Sequence, residues 1–379
     1  KSGVLYFCAC CFVLLCAAVC QAVKMRKAVV FPVVVISVTV LCSLTSVSTA
    51  AMFPFLEDVE LRMPHVRPTQ NETYLCTAYH VKPNQHEYIV AFKPNASMHV
   101  AHHILIYGCL VPGYREMDSP RAVWDCGEMS HSHSEYRTGS TCAEGSQIIY
   151  AWARDAPPLS LPRGVGFKIG GNSGIKYLVL QVHYADTTAF LTENKNDSSG
   201  VILSVLPGDT PFVTRRAAIY LLGTGGMIRA HTTEHFETAC RVDEDVTLYP
   251  FAFRTHTHQL GKAVTGYIVR NGKWINIGKH DPLQPQMFYK AKKNITVHKG
   301  DILAARCTMY NFRDRDTYVG ATGNDEMCNF YMMYYVEGDR ILEQHDCFSY
   351  GPPIYYWGRD RLLSNALTPE MDKKASTLD

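Results

Sequence analysis

The chain has 379 residues, 47% of them hydrophobic, with 37 Lys and Arg against 35 Asp and Glu. That length is ample for a substantial core and suggests two domains. Charge so nearly balanced gives no electrostatic reason to expect a nucleic-acid partner.

The first fifty residues differ from the rest. They hold no acid, four basic residues (Lys1, Lys24, Arg26 and Lys27) and two apolar runs, 4–23 and 28–47, split by Lys24-Met25-Arg26-Lys27. The second run has a basic start, an apolar middle and Ser48-Thr49-Ala50 at its end, a pattern that fits signal cleavage after Ala50. Residues 1–50 are therefore expected to be a leader, with the signal peptide over 25–50 and residues 1–24 an upstream extension of the reading frame. A membrane anchor or hairpin is the rival reading, because each run is about long enough to span a bilayer. The expected location is the secretory pathway, in a granule or outside the cell, with membrane association only if the leader is retained.

Cysteine usage agrees with export. Six of the fourteen cysteines fall in the leader, and the other eight are Cys76, Cys109, Cys126, Cys142, Cys240, Cys307, Cys328 and Cys347. An even number, widely spaced and without a CxxC, reads as disulfides in an oxidising compartment, although spacing leaves the connectivity open. Asn-x-Ser/Thr sequons at Asn71, Asn95, Asn196 and Asn294 are compatible with a glycoprotein.

Beyond Ala50 the pattern is strand-like. Short Val, Ile, Tyr, Phe and Thr runs at 88–92, 103–107, 177–184, 201–206, 263–270 and 329–336 are broken by Gly, Pro, Asn and Asp. Arg270-Asn271-Gly272-Lys273 is a hairpin signal. No long stretch has a helical period. The expected fold is all-β: two consecutive antiparallel β-sandwich (jelly-roll-like) domains, disulfide-stapled. Leu206-Pro207-Gly208-Asp209-Thr210-Pro211 is the candidate boundary, giving domains over 51–207 and 208–350. Residues 351–379 form a tail, and its polar part after Arg359 is expected to be poorly ordered.

Four segments could carry chemistry. In His256-Thr257-His258, preceded by Arg254, strand geometry would aim all three side chains one way. Two imidazoles so placed can share a metal, and the arginine can hold a carboxylate bidentately. His131-Ser132-His133 has the same spacing but sits among serines and reads as solvated. The vicinal pair His102-His103 can share a metal only where a strand bends or ends. His183 closes an apolar strand and would ordinarily be a hydrogen-bonded core histidine, with Val179 and Gln181 on its face. In Asp325-Glu326-Met327-Cys328-Asn329-Phe330-Tyr331, alternation places Met327, Asn329 and Tyr331 together. A thioether is usually core, but it is also a soft ligand suited to Cu(I).

These segments, taken in order, resemble the copper monooxygenase family of the peptidylglycine and dopamine hydroxylating enzymes. The resemblance runs from about Glu57 to Cys347. It is carried by Lys93-Pro94-Asn95-Ala96-Ser97-Met98 with Ala101-His102-His103, Tyr150-Ala151-Trp152-Ala153-Arg154, Gln181-Val182-His183-Tyr184, His256-Thr257-His258 with Leu260-Gly261-Lys262, Gly300-Asp301-Ile302-Leu303-Ala304-Ala305-Arg306-Cys307 and Asp325-Glu326-Met327-Cys328-Asn329.

The resemblance implies two copper ions, with ascorbate as reductant and O2 as co-substrate. His102, His103 and His183 would hold the electron-transfer copper. His256, His258 and Met327 would hold the catalytic one, the two facing each other across an open cleft. Arg254, Asn329 and Tyr331 match the positions that anchor a substrate carboxylate in the peptide-specific members, and Tyr74 and Gln181 match positions near the site. The implied disulfides are Cys76–Cys126, Cys109–Cys142, Cys240–Cys347 and Cys307–Cys328. The chain departs from the family in three places. A further family disulfide is missing near Ser198, extra residues lie between Cys126 and Cys142, and Gln259 replaces a third histidine.

The implied function is hydroxylation of the Cα of a C-terminal glycine in glycine-extended peptides, the first step of peptide amidation. A separate lyase would act on the product. The alternatives are a related monooxygenase acting on an amine and a non-enzymatic secreted copper-binding glycoprotein.

Overall fold

The computed structural model describes residues 56–114, 123–127 and 135–378. The leader and the His131/His133 loop lie outside the described residues. Among the described residues, no helix is long and apolar enough to cross a membrane.

The β-branched and aromatic runs become strands because alternate side chains can then fill a core on one face. In Tyr177–Tyr184, Leu178, Leu180, Val182 and Tyr184 enter one apolar cluster, while Val179 enters another. This strand is the middle of a five-stranded antiparallel sheet, in the order Val123–Asp125, Thr73–His80, Tyr177–Tyr184, His103–Cys109 and Gln147–Ala153. Strands Glu57–Arg62, Gly200–Pro207, His86–Asn95 and Val165–Gly170 form the opposing layer. Between the layers lie Leu61, Ile89, Phe92, Leu203, Leu75, Ile104, Ile106 and Trp152.

The second sandwich repeats the plan. Thr233–Arg241, Ile302–Tyr310, Gly261–Arg270 and Lys273–His280 make its outer sheet. Arg215–Thr224, Asn329–Glu337, Tyr249–His256 and Tyr289–Lys290 make the inner one. Arg270 pairs with Lys273 across Asn271 and Gly272, whose φ angles of 50° and 74° are those of the tight hairpin turn that Asn-Gly favours.

The sandwiches meet edge to edge, where Val165 and Gly166 pair in parallel with Arg215 and Arg216. They also meet face to face. On Arg215–Thr224, Ala218, Tyr220 and Leu222 enter the second core, while Ala217 and Ile219 enter the first. The pleat thus covers the inner sheet on both sides. Lys168 of the first sandwich reaches Asp339 at 2.6 Å.

Among the described residues, four disulfides join Cys76 to Cys126, Cys109 to Cys142, Cys240 to Cys347 and Cys307 to Cys328, the same pairs the resemblance implies.

The tail corrects the expectation of disorder. Trp357, Leu363 and Ala375 are fully buried. The helix Pro369–Ser376 lies against the outer sheet and is capped by Thr368, whose hydroxyl accepts from Met371 N. Arg306 ties the helix down, donating to Asp372 O at 2.9 Å and Ser376 Oγ at 2.7 Å, with its guanidinium over the Trp357 ring. Tyr355, Leu367 and Met371 pack against the same cluster as Trp357, Leu363 and Ala375, so apolar anchors spread along the tail dock it in spite of its many polar residues.

Candidate metal centres and substrate pocket

The first cluster forms where a strand begins. His103 opens His103–Cys109 in register with His183, and His102, one residue earlier, donates its backbone N–H to His183 O at 2.8 Å. This strand end lets adjacent histidines face one point. The ligand atoms of His102, His103 and His183 all lie within 4.8 Å of one another.

Hydrogen bonding specifies which ring nitrogens are free. His183 Nε2 lies 2.7 Å from Glu72 Oε2, so it carries the proton and leaves Nδ1 as a lone-pair donor. That Nδ1 faces His102 Nδ1 at 3.2 Å. His103 Nδ1 is buried with no hydrogen-bond partner. Burial holds the His103 pKa well below the ordinary histidine value, helped by the neighbouring His183 and His102. It lowers that of His183 too, with Glu72 opposing. Neutral imidazoles converging through Nδ1, one of them unpartnered, fit a soft-to-borderline metal ion. Tyr74 stacks on His183 with centroids 4.0 Å apart.

The second cluster is set by the end of Tyr249–His256. Gln286 Nε2 donates to Thr257 O and Pro282 O, each at 3.0 Å, which fixes Oε1 as an acceptor. His256 Nδ1 donates to that Oε1 at 2.6 Å, and His258 Nδ1 donates to Asp325 O at 3.2 Å. Both histidines therefore present a free Nε2, their rings 5.4 Å apart. Burial holds the His256 pKa well below the usual value, with Arg254 and His258 adding to the effect. Met327 lies just before Asn329–Glu337. The buried Glu326 carboxylate accepts from Met327 N at 2.8 Å and also from the backbone of His258, Gln259 and Leu260, so it ties the methionine to the histidine segment.

Between the clusters is a cavity of about 380 Å³ lined by Tyr74, His103, Gln181, Arg254, His256, Met327, Asn329 and Tyr331, among others. The His103 and His256 rings are 6.2 Å apart across it. The expectation of an open cleft is corrected here: the inner sheet packs on the first sandwich and brings the two histidine faces together. Gln181 bonds Thr141 Oγ1 at 3.1 Å. Arg254 is 2% exposed. It donates to Gln286 O and Oε1 at 3.0 and 3.1 Å and lies over the Tyr331 ring. Among the described residues no carboxylate pairs with it, and a buried guanidinium without a counter-charge suits an anionic ligand.

Sequence reasoning assigned no role to Glu72, Gln286 or Glu326. Glu326 stood inside a quoted motif and Glu72 two residues before Tyr74, but Gln286 follows a proline in an undistinguished loop.

Residues 59–190 match the N-terminal domain and residues 215–360 the C-terminal domain of the family described as copper type II ascorbate-dependent monooxygenase. The chain is 41% identical over 298 residues to peptidyl-glycine alpha-amidating monooxygenase A of Xenopus laevis, covering 78% of this chain and 30% of that protein. It is 39% identical over 295 residues to peptidylglycine alpha-amidating monooxygenase of Rattus norvegicus, covering 76% of this chain and 28% of the relative. Dopamine beta-hydroxylase of Homo sapiens is 29% identical over 297 residues, 73% of this chain and 46% of that one. The chain thus spans less than a third of the length of the amidating relatives it matches. Two matched domains in order, with two histidine clusters facing one cavity, make the chain a member of the copper type II ascorbate-dependent monooxygenase family.

Proposed function

We propose that this chain hydroxylates the Cα of the C-terminal glycine in glycine-extended peptides. One oxygen atom of O2 enters the C–H bond, and the other leaves as water with two protons and two electrons from ascorbate. The observation that carries this reading is Arg254: a buried guanidinium without a carboxylate partner, in the wall of the cavity beside His256.

Copper bound at these clusters would supply oxygen activation at one and electron storage at the other. His102, His103 and His183 would hold the first ion through Nδ1, and His256, His258 and Met327 the second through Nε2 and sulfur. Arg254 receives the peptide carboxylate, with Asn329 and Tyr331 lining the same wall, so the adjacent α-carbon is presented to the second cluster. Gln286 orients Arg254 and His256 together, so anchor and ligand keep a fixed spacing. Tyr74 and Gln181 close the pocket on the side of the first cluster.

The family halves divide near Pro207, and the leader directs the chain into the secretory pathway, where the disulfides form. Asn71, Asn95, Asn196 and Asn294 are the candidate glycosylation positions. The peptidyl-α-hydroxyglycine product then breaks down to the amide and glyoxylate in a lyase step. The test is an ascorbate- and copper-dependent assay on a glycine-extended peptide, with tyramine in parallel and product mass recorded. A peptide heavier by one oxygen atom is expected. Hydroxylated tyramine with unchanged peptide would overturn the reading in favour of an amine substrate.

A further inference from the structure

A carboxylate behind a metal-binding histidine ordinarily serves that histidine alone, setting its tautomer and ring plane. Glu72 does this for His183 through Oε2. Its other oxygen goes elsewhere. Oε1 accepts the backbone N–H of Gly323 at 3.1 Å, a residue 251 positions along the chain and part of the second sandwich. Two residues after Glu72, the Tyr74 hydroxyl donates to Ala321 O at 2.6 Å while its ring lies on His183. The two side chains that frame His183 therefore also grip the turn that leads into Met327.

That turn can transmit position because it is internally braced. Asp325 Oδ2 accepts from Thr322 N at 3.1 Å and Thr322 Oγ1 at 2.7 Å. Arg313 and Arg315 each donate to Asn324 O at 2.6 Å. At its end, Asp325 O receives His258 Nδ1, and Glu326 clamps Met327 N. A shift at Gly323 is carried within a few residues to both Met327 and His258.

We propose that Glu72 is a positioning residue shared by the two metal centres: one oxygen orients His183, and the other seats the turn 322–325, fixing Met327 and His258 relative to the opposite histidine cluster. This rests on the two-copper reading and adds to it a physical link between the centres.

Glu72→Gln is nearly isosteric and tests the link. Its amide has one acceptor oxygen, so it can serve Gly323 N–H or His183 Nε2–H but not both, and its NH2 opposes the other donor. Glu72→Asp is one methylene shorter and should likewise lose one arm. Glu60→Gln, whose carboxylate meets only Arg62 on the surface, is the control. The readouts are copper content, the copper–copper distance distribution by pulsed EPR on the oxidised two-copper protein, and kcat separately from peptide KM.

We expect both Glu72 variants to keep two coppers, to broaden the distance distribution, and to lose about tenfold in kcat or more, with KM little changed because Arg254 is untouched. Tyr74→Phe keeps the stack but drops the Ala321 bond. Combined with Glu72→Gln, it should be non-additive in kcat, since both grip one turn. Glu72→Gln protein with an unchanged distance distribution and unchanged kcat would overturn the proposal, even if its melting temperature fell. Wild-type protein holding fewer than two coppers would instead overturn the two-copper reading, a result visible before any variant is made.

Discussion

Glu326 accepts the backbone N–H of Leu260 at 2.7 Å, a contact between residues 66 positions apart. Its carboxylate is fully buried and also takes the N–H groups of His258, Gln259 and Met327. Charge-assisted bonds to four amides keep it paired without a cation. Glu326→Ala would orphan all four. The expected result is a loss of about 3 kcal/mol or more in chemical denaturation, together with loss of the second copper and retention of the first. A variant that binds two coppers with wild-type stability would contradict this.

Arg254→Ala should act on substrate binding. Truncating one partner of a buried charged pair costs about 2–5 kcal/mol, so peptide KM should rise by about 100-fold. Arg254→Lys should recover little, because a point charge cannot bond Gln286 and a carboxylate with one planar fork. Steady-state kinetics on a glycine-extended peptide decide it, and an unchanged KM would refute the anchor.

Met327→Ile keeps apolar bulk and removes the sulfur. Turnover should disappear while the copper held by His102, His103 and His183 stays bound. Metal analysis and an activity assay on one preparation test both halves. Normal activity in the variant would remove Met327 from the site.

His235 offers a pH signature away from the metal centres. Burial lowers its pKa to about 4, Arg306 adding to the effect and Asp372 opposing it. The unfolded chain takes up the proton near the ordinary value of 6.5, whereas the fold resists until about 4. Stability should therefore be intact above pH 6.5, fall between 6.5 and 4, and level off below. His235→Gln removes this contribution. Between pH 7 and 5, wild type should lose about 1–2 kcal/mol more than the variant in denaturant titrations. Parallel losses would refute the assignment.

The tail should matter for stability and not for chemistry. Deleting residues 361–379 removes Asp372 and Ser376 from Arg306 and uncovers the sheet where Ala375 and Leu363 are buried. The unfolding midpoint should drop by several degrees, about 3 kcal/mol. The kcat of the surviving folded protein should be that of the intact chain. Scanning calorimetry and kinetics at a temperature below both midpoints separate the two effects.

Much of the fold was legible because strand formation is local. Alternating apolar residues in 177–184 and the Asn271-Gly272 turn declare their geometry within a few positions. The tail was misjudged because its polar residues outweigh a short apolar spacing, Leu363, Leu367, Met371 and Ala375, that gains meaning only against the outer sheet.

The sequence by itself determined the chemistry available: the closely spaced pairs His102-His103 and His256-Thr257-His258, a thioether, a guanidinium and an even set of cysteines beyond residue 50. These are properties of residue type and short spacing. Tertiary structure alone decided which nitrogen of each histidine is free, because that depends on distant partners: Glu72 for His183, Gln286 for His256 and Asp325 O for His258. It also decided that the two centres face each other closely, with His103 and His256 rings 6.2 Å apart. The inner sheet is buried on both faces, and no local pattern encodes which surface covers a sheet's second side.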